Sequence, residues 1–155
     1  ISSNKNYLIA EPSLFLFGLL QSAMHISWLG AVGGRLESRF QYSGTMVYNT
    51  FPWPTPTDKQ RTVIEASAQT VLDARAAHPG ASLADLYDPL TMPPDLVKAH
   101  QKLDAAVDAA YGYKGGSTDA ARVAFLFGLY QQITSLLPAD GGKPRRARRV
   151  NAEAV

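Results

Sequence analysis

The stretch Phe51-Pro-Trp-Pro-Thr-Pro56 decides how this 155-residue chain is organised, because it places three prolines within five positions. Proline fixes its φ angle and lacks a backbone N–H, so neither a helix nor an inner strand passes through such a run. Aromatic and β-branched segments precede these prolines, and long helical patterns follow them. We therefore predict an α+β piece over residues 1–56, an all-α domain over 57–137, and a chain that is predominantly α overall.

Upstream of the prolines, the apolar stretch over residues 14–32 predicts one long, buried helix. Ser13 supplies an N-cap, and Gly33 and Gly34 supply a stop. The stretch is apolar on nearly every face, which is typical of a helix that packs on several sides. A membrane-spanning helix is disfavoured because four polar residues interrupt the run: Gln21, Ser22, His25 and Ser27. We expect His25 to be a hydrogen-bonded group within this buried helix.

Two short strands are predicted between this helix and the prolines. Residues 35–43 alternate between polar and apolar side chains, and residues 45–49 are rich in β-branched and aromatic side chains. The side chains expected to turn toward the core are Leu36, Phe40 and Tyr42. Phe51 and Trp53 are expected to wedge the two parts of the chain together.

Downstream of the prolines, the sequence predicts a small antiparallel helical bundle. Apolar residues recur at helical spacing over about 58–77, 95–111 and 119–137, and glycines or prolines separate these segments. A shorter helical turn opens at Ser82, with Asp85 in the position of a capping box. The residues predicted to face inward are Val63, Ile64, Ala68, Val71, Leu72, Leu96, Ala99, Leu103, Ala106, Val107, Ala110, Val123, Phe125, Leu126, Leu129, Tyr130, Ile133 and Leu137.

The composition excludes several classes of functional site. There is no cysteine, which removes disulfides, cysteine nucleophiles, iron–sulfur clusters and cysteine-bound zinc. The three histidines are isolated, and no pair has the spacing of a histidine metal site. The glycine-rich run at 30–34 follows a predicted helix rather than a strand, so it is interpreted as a helix end and not as a nucleotide-binding loop. We predict no catalytic residue, no metal and no cofactor in this chain.

The basic charge of the chain is concentrated at its C-terminus. Five of the 15 basic residues fall within residues 143–149, whereas residues 1–137 carry 10 basic and 11 acidic residues. The tail over 138–155 has no apolar period, and we predict that it is disordered. It either contacts phosphate nonspecifically or has no measurable role. Any other affinity for nucleic acid must come from the local placement of charges in the body.

One segment carries charged and amide side chains at alternate positions: Arg35, Glu37, Arg39 and Gln41. If the segment is a single extended strand, all four side chains project from one face. Arginine binds guanine, glutamine binds adenine, and glutamate accepts a hydrogen bond from cytosine, so such a row suits base reading in the major groove. A solvated strand face with internal Arg–Glu pairs explains the same pattern, and the residues alone leave both interpretations open.

Four long segments carry a resemblance to a known protein family. They are Phe15–Trp28, Gly34–Ser43, Val47–Pro54 and Leu83–Gly112. In this order they resemble the C-terminal part of the MmeI-like DNA methyltransferases, which are single-chain type II restriction–modification enzymes. The resemblance covers roughly residues 7–137. It implies that residues 1–56 are the end of a target-recognition domain and that residues 57–137 are the C-terminal helical domain.

The resemblance also implies a function and a site. The parent would be a bacterial, cytoplasmic adenine methyltransferase that uses S-adenosylmethionine and has its catalytic motifs upstream, so this fragment neither methylates nor cleaves alone. Family members set one base pair with an acid–base pair in this segment, and Glu37 and Arg39 match the Glu-x-Arg form. Gln41 falls at a further family contact position, and Arg35 joins the proposed base readers. Apart from the resemblance, contacts with the DNA backbone are expected at Ser38, Ser43, Lys59 and Arg61, and a solvated surface explains Lys59 and Arg61 equally well.

Two functions remain open at this point. In the first, the chain is a sequence-specific recognition module that binds double-stranded DNA and adjoins the methyltransferase domain of the same protein. In the second, its helices dock on that methyltransferase core or mediate self-association into a homo-oligomer. The two differ in an observable property: base readers along 35–41 are solvent-exposed, whereas a docking module buries these side chains or pairs them internally.

Overall fold

The computed structural model describes residue 9, residues 12–36 and residues 39–135. Within these residues the helices are α1 (Leu14–Gln21), α2 (Ala23–Val32), α3 (Asp58–Ala76), α4 (Leu83–Leu86), α5 (Pro94–Tyr111) and α6 (Asp119–Thr134). The strands are β1 (Gly34–Leu36) and β2 (Arg39–Gln41), and one π-helical turn spans Gly44–Tyr48. The predicted mostly α fold with a small α+β N-terminal piece is confirmed. The tail predicted to be disordered, 138–155, lies outside the described residues.

The apolar stretch that predicted one long helix forms two helices, α1 and α2, which meet at Ser22 with a bend of 57°. The Ser22 hydroxyl donates a hydrogen bond to the Leu19 carbonyl (2.6 Å) and accepts one from the His25 amide (3.4 Å), so it ends α1 and caps α2. The continuous helix was therefore a wrong prediction. Its burial is confirmed, since Leu19, Met24 and Trp28 are each at most 1% exposed.

The stretch that was considered as a membrane span forms these same two helices. No single helix in the described ranges is long and apolar enough to cross a membrane, although α1 and α2 together would suffice by length and composition. Both helices contribute side chains to the core of the protein.

The two short strands differ from those predicted. β1 pairs with β2 in an antiparallel hairpin over residues 34–41, where one continuous strand over 35–43 was predicted. The predicted strand over 45–49 is wrong, because a π-helical turn occupies this position. Local hydrogen bonds explain the turn: Ser43 Oγ accepts from the Met46 amide (3.2 Å), and Thr50 Oγ1 donates to the Met46 carbonyl (2.6 Å).

Local capping explains the ends of the helices after the prolines. Thr57 forms a capping box with Gln60 at the start of α3, and Ser82 forms one with Asp85 at the start of α4. Gly112 ends α5 with a φ of 64°, a left-handed conformation that favours glycine. These helices lie within a few residues of their predicted bounds.

The helices α3 and α5 pack against each other in antiparallel fashion. The Gln60 amide at the start of α3 donates to the Ala109 carbonyl near the end of α5 (3.1 Å), and His78 beyond the end of α3 contacts Asp95 at the start of α5 (3.0 Å). The predicted inward stripe of α5 is confirmed. The fully buried members of that stripe are Leu96, Ala99, Leu103 and Val107. On α3, Val63 was wrongly placed inside, since it is 48% exposed.

The core is shared between the two parts of the chain rather than split at the prolines. Helix α1 packs on α3, and α6 packs on α2 instead of completing a separate bundle. Trp28 of α2 lies 5.0 Å from the ring of Phe127 and 5.8 Å from that of Tyr130 on α6. Of the predicted inward residues of α6, Leu126 is buried but Ile133 is 68% exposed. Leu137 lies outside the described residues.

The proline-rich stretch joins the two parts, as predicted. Phe51 is 3% exposed and meets the rings of Trp53 and Tyr111 edge-on. The Tyr111 hydroxyl, on α5, donates a hydrogen bond to the Pro52 carbonyl (2.8 Å). Burial raises the pKa of the Tyr111 hydroxyl, so this donor stays protonated.

Candidate nucleic-acid interface

The candidate interface is the β1–β2 hairpin, which sits at the end of α2. The register pairs Gly34 with Gln41, Arg35 with Phe40, and Leu36 with Arg39. Residues that face each other across an antiparallel pair share one side of the sheet, and successive residues alternate between sides. Arg39 and Gln41 therefore share one face of the hairpin, and Arg35 lies on the other. The predicted single row of four side chains is wrong, because the chain reverses between β1 and β2.

The face with Arg35 is occupied by a stacking contact. The Arg35 guanidinium lies 4.7 Å from the centre of the Phe40 ring, at a distance typical of a cation–π interaction. Phe40 is 46% exposed, so the prediction that it turns into the core is wrong. Both side chains border an open groove of about 280 Å³ between the hairpin, α2 and α6, which also includes Gly30 and Asp119.

The face with Arg39 and Gln41 is the one that matches the predicted base readers. All three residues of β2 are exposed. Arginine and glutamine offer the two donor sets that recognise guanine and adenine in the major groove, and a two-stranded ribbon is narrow enough to enter that groove. Glu37 and Ser38, two further predicted DNA contacts, lie outside the described residues.

Close packing at Gly33 fixes the junction between α2 and the hairpin. A Cβ added at Gly33 would overlap the Leu29 carbonyl oxygen and come within 2.8 Å of Leu29 Cδ1. The Gly33 amide donates a hydrogen bond to the same carbonyl (2.9 Å). Only glycine permits this close approach of the chain to the last turn of α2, so the direction in which β1 leaves the helix is fixed here.

A buried histidine holds the other end of the hairpin. His25 of α2 is 1% exposed, and its Nε2 lies 3.1 Å from the hydroxyl of Tyr42, the residue after β2. The His25 ring also meets the Phe51 ring edge-on at 4.5 Å. Burial lowers the pKa of His25 to about 4, so the imidazole is neutral at neutral pH. Nδ1 has no hydrogen-bond partner among the described residues, so the predicted satisfaction of His25 holds for one nitrogen only.

Carboxylates on α5 support the helices beneath the hairpin. Asp104 Oδ1 accepts a hydrogen bond from the Ala23 amide (2.7 Å) and so caps α2 from a position 81 residues away. Burial raises the pKa of Asp104. Asp108 pairs with Arg122 of α6 at 2.8 Å, and the Arg122 side chain is only 7% exposed. No local pattern in the sequence predicts these partners, which lie 81 and 14 residues away in the chain.

The residues predicted to contact the DNA backbone differ in their surroundings. The Ser43 hydroxyl caps the π-helical turn. Lys59 is exposed on the first turn of α3. Arg61 pairs with Glu65 at 3.1 Å and stacks on the Phe15 ring at 4.7 Å, so its guanidinium already has partners within the protein. A role in DNA binding for these residues stays a prediction.

The structure thus has a helical body that carries a short, exposed ribbon with arginine and glutamine on one face. Residues 1–55 match the model of the MmeI target recognition domain, and residues 56–138 match that of the MmeI C-terminal domain. The chain therefore belongs to the MmeI family, as the sequence predicted.

Two relatives bear out this assignment. "DNA methyltransferase A" of Bacillus subtilis (strain 168) is 42% identical over 134 residues, which are 86% of this chain and 15% of that protein. A solved structure, the type IIL restriction–modification enzyme MmeI in complex with DNA, is 57% identical with a TM-score of 0.80. The match covers 81% of this chain and 17% of the MmeI chain. This chain thus spans about one sixth of the length of either relative.

Proposed function

We propose that this chain is the sequence-specific DNA-recognition module of an MmeI-type restriction–modification methyltransferase, with the β1–β2 hairpin as its reading element. The observation that carries the proposal is the exposed pair Arg39 and Gln41 on one face of the hairpin. Arginine and glutamine carry hydrogen-bond donors suited to the edges of bases in the major groove.

The chemistry of reading follows from the two side chains. Arg39 would donate two parallel hydrogen bonds to O6 and N7 of a guanine, and Glu37 would accept from the N4 amine of the paired cytosine. Gln41, two residues along the same strand, would read the neighbouring base pair through its amide. Arg35, on the opposite face and stacked on Phe40, is better placed to shape the hairpin than to read beside Arg39 and Gln41.

The rigid support of the hairpin favours the same function. Base readout requires side chains that are held in a fixed position before DNA arrives, because ordering them on binding costs affinity. Gly33 fixes the start of the hairpin on α2, and the His25–Tyr42 contact fixes its end. The α2 helix is in turn capped by Asp104 and covered by α6.

The relatives of this chain support a proposal about the whole protein to which it belongs. We infer a parent that methylates adenine in DNA of the bacterial cytoplasm with S-adenosylmethionine, and a contact between this module and the methyltransferase domain. We propose no catalytic step for the residues of this chain.

The proposal is tested by selecting preferred sequences from a pool of randomised DNA duplexes. The 155-residue chain should enrich a defined site, and Arg39→Ala should abolish the preference at one base pair of it. Lys98→Ala, which removes an exposed positive charge from α5, is the matched control and should leave the selected sequence unchanged. A wild-type chain that selects no sequence, or an Arg39→Ala variant with the wild-type preference, would overturn the proposal.

A further inference from the structure

We infer that Gly34 is a specificity-determining residue: because it has no side chain, it leaves room for the edge of a DNA base pair beside Gln41. This inference rests on the proposed function and deepens it, since it adds Gly34 to the reading face, the hairpin face that carries Arg39 and Gln41. Nothing in the fold of the hairpin requires glycine at this position.

The register places Gly34 on the reading face. Gly34 is the direct partner of Gln41 across the hairpin, so the two residues share the side of the sheet that also carries Arg39. A Cβ added at Gly34 would lie 3.7 Å from the Cβ of Gln41, in ordinary van der Waals contact. A longer side chain would therefore stand directly beside the Gln41 amide.

The fold itself would accept a larger residue. The positive φ angles of glycines in the described ranges occur at Gly80 and Gly112, so the backbone of Gly34 suits any L-residue. The added Cβ meets no atom closer than 3.7 Å, in contrast to Gly33, where it would overlap the Leu29 carbonyl oxygen. Glycine weakens a strand by its conformational entropy and its lack of packing, and β-branched residues are favoured there.

The fold does not explain a glycine at position 34, but the close approach of a ligand does. Glycine within a strand commonly marks a place where a ligand or another backbone comes near the sheet. Gln41 is exposed, and its amide must come close to the edge of the base to bind N6 and N7 of an adenine. Because Gly34 has no side chain, a base pair can lie beside the Gln41 amide without a steric clash.

The experiment is a double-mutant cycle on DNA binding. Gly34→Val, Gln41→Ala and the double variant are compared with the wild-type chain on its selected duplex and on a duplex changed at the Gln41-dependent base pair. Gly116→Val is the matched control, because Gly116 is an exposed glycine with no atom within 4 Å of an added Cβ. Thermal unfolding of each variant shows whether the fold is retained.

We expect Gly34→Val to unfold at or above the wild-type temperature and to bind the selected duplex about ten- to hundredfold more weakly, the range that one bidentate base contact supplies. The same change in the Gln41→Ala background should cost little further affinity. Wild-type affinity in Gly34→Val, or an equal loss in both backgrounds, would overturn the inference while leaving the proposed function intact. A wild-type chain without sequence preference would overturn both.

Discussion

Replacing Gly18 by alanine tests how tightly the core is packed. Gly18 is a buried residue of α1 at the point where this helix crosses α3. An added Cβ would lie 3.0 Å from Ile64 Cγ2, 3.2 Å from Ala68 Cβ and 3.2 Å from Leu103 Cδ1. All three neighbours are fully buried, so none can move into solvent to make room.

Two opposing free energies decide the result. Alanine is favoured over glycine in a helix by about 1 kcal/mol, while overpacking a filled core costs about 1–3 kcal/mol. Since the new methyl group is too close to three core atoms at once, we expect the packing cost to exceed the helix gain. The net change should be a loss of about 1 kcal/mol in the free energy of unfolding, or roughly 2–4 °C in Tm.

Gly128 provides a matched control within the same chain. It also lies inside a helix, α6, but a Cβ added there meets no atom within 4 Å. Gly128→Ala therefore gains the helix preference without a packing cost, and should raise the free energy of unfolding by about 1 kcal/mol. The two variants carry the same chemical change and should shift stability in opposite directions.

The measurement is urea unfolding followed by circular dichroism, with Tm from calorimetry as a second readout. Equal m-values in the wild type and both variants would show that the compared states are the same. If Gly18→Ala were stabilised as much as Gly128→Ala, the close contact between α1, α3 and α5 would not exist as described.

Three further outcomes are expected. Because the pKa of His25 falls from 6.5 to about 4 on folding, the unfolded chain takes up the proton first and stability should fall as the pH drops from 6.5 to 4. Unfolding at several pH values should show that the fall in the free energy of unfolding over this range is roughly 3 kcal/mol smaller in His25→Gln than in the wild type. Arg122→Met leaves Asp108 without its partner and should cost about 3 kcal/mol in urea unfolding; a change below 1 kcal/mol would contradict a structural role for the pair. Glu37→Lys combined with Arg39→Asp should reverse the preferred base pair in duplex selection, and an unchanged preference would exclude Glu37 and Arg39 as its readers.

The candidate site was only partly predictable from the sequence. The alternating polar residues predicted that Arg39 and Gln41 share one exposed face, and in the hairpin they do. The sequence did not reveal that the segment folds back on itself, because a run of alternating residues fits one long strand as well as two short ones. Arg35 was assigned to the wrong face for this reason.

The anchors of the hairpin were also beyond sequence reasoning. His25 was predicted to be a buried, hydrogen-bonded residue, but nothing near it in the chain identifies Tyr42 as its partner. The break between α1 and α2 had a local signal in Ser22, whose hydroxyl can end one helix and cap the next. A second cap at the start of α2 comes from Asp104, which accepts a hydrogen bond from the Ala23 amide, and no local pattern connects these two residues.

The sequence by itself determined the features that depend on neighbouring residues: the proline boundary, the capped ends of α3 and α4, the glycine end of α5 and the inward stripe of α5. Their hydrogen bonds and spacings join residues three or four positions apart, so a linear pattern contains them. Only the tertiary structure decided which helices share a core and which face of the hairpin Arg35 occupies. Those outcomes depend on contacts between residues far apart in the chain, such as Asp104 with Ala23, and a linear pattern does not contain them.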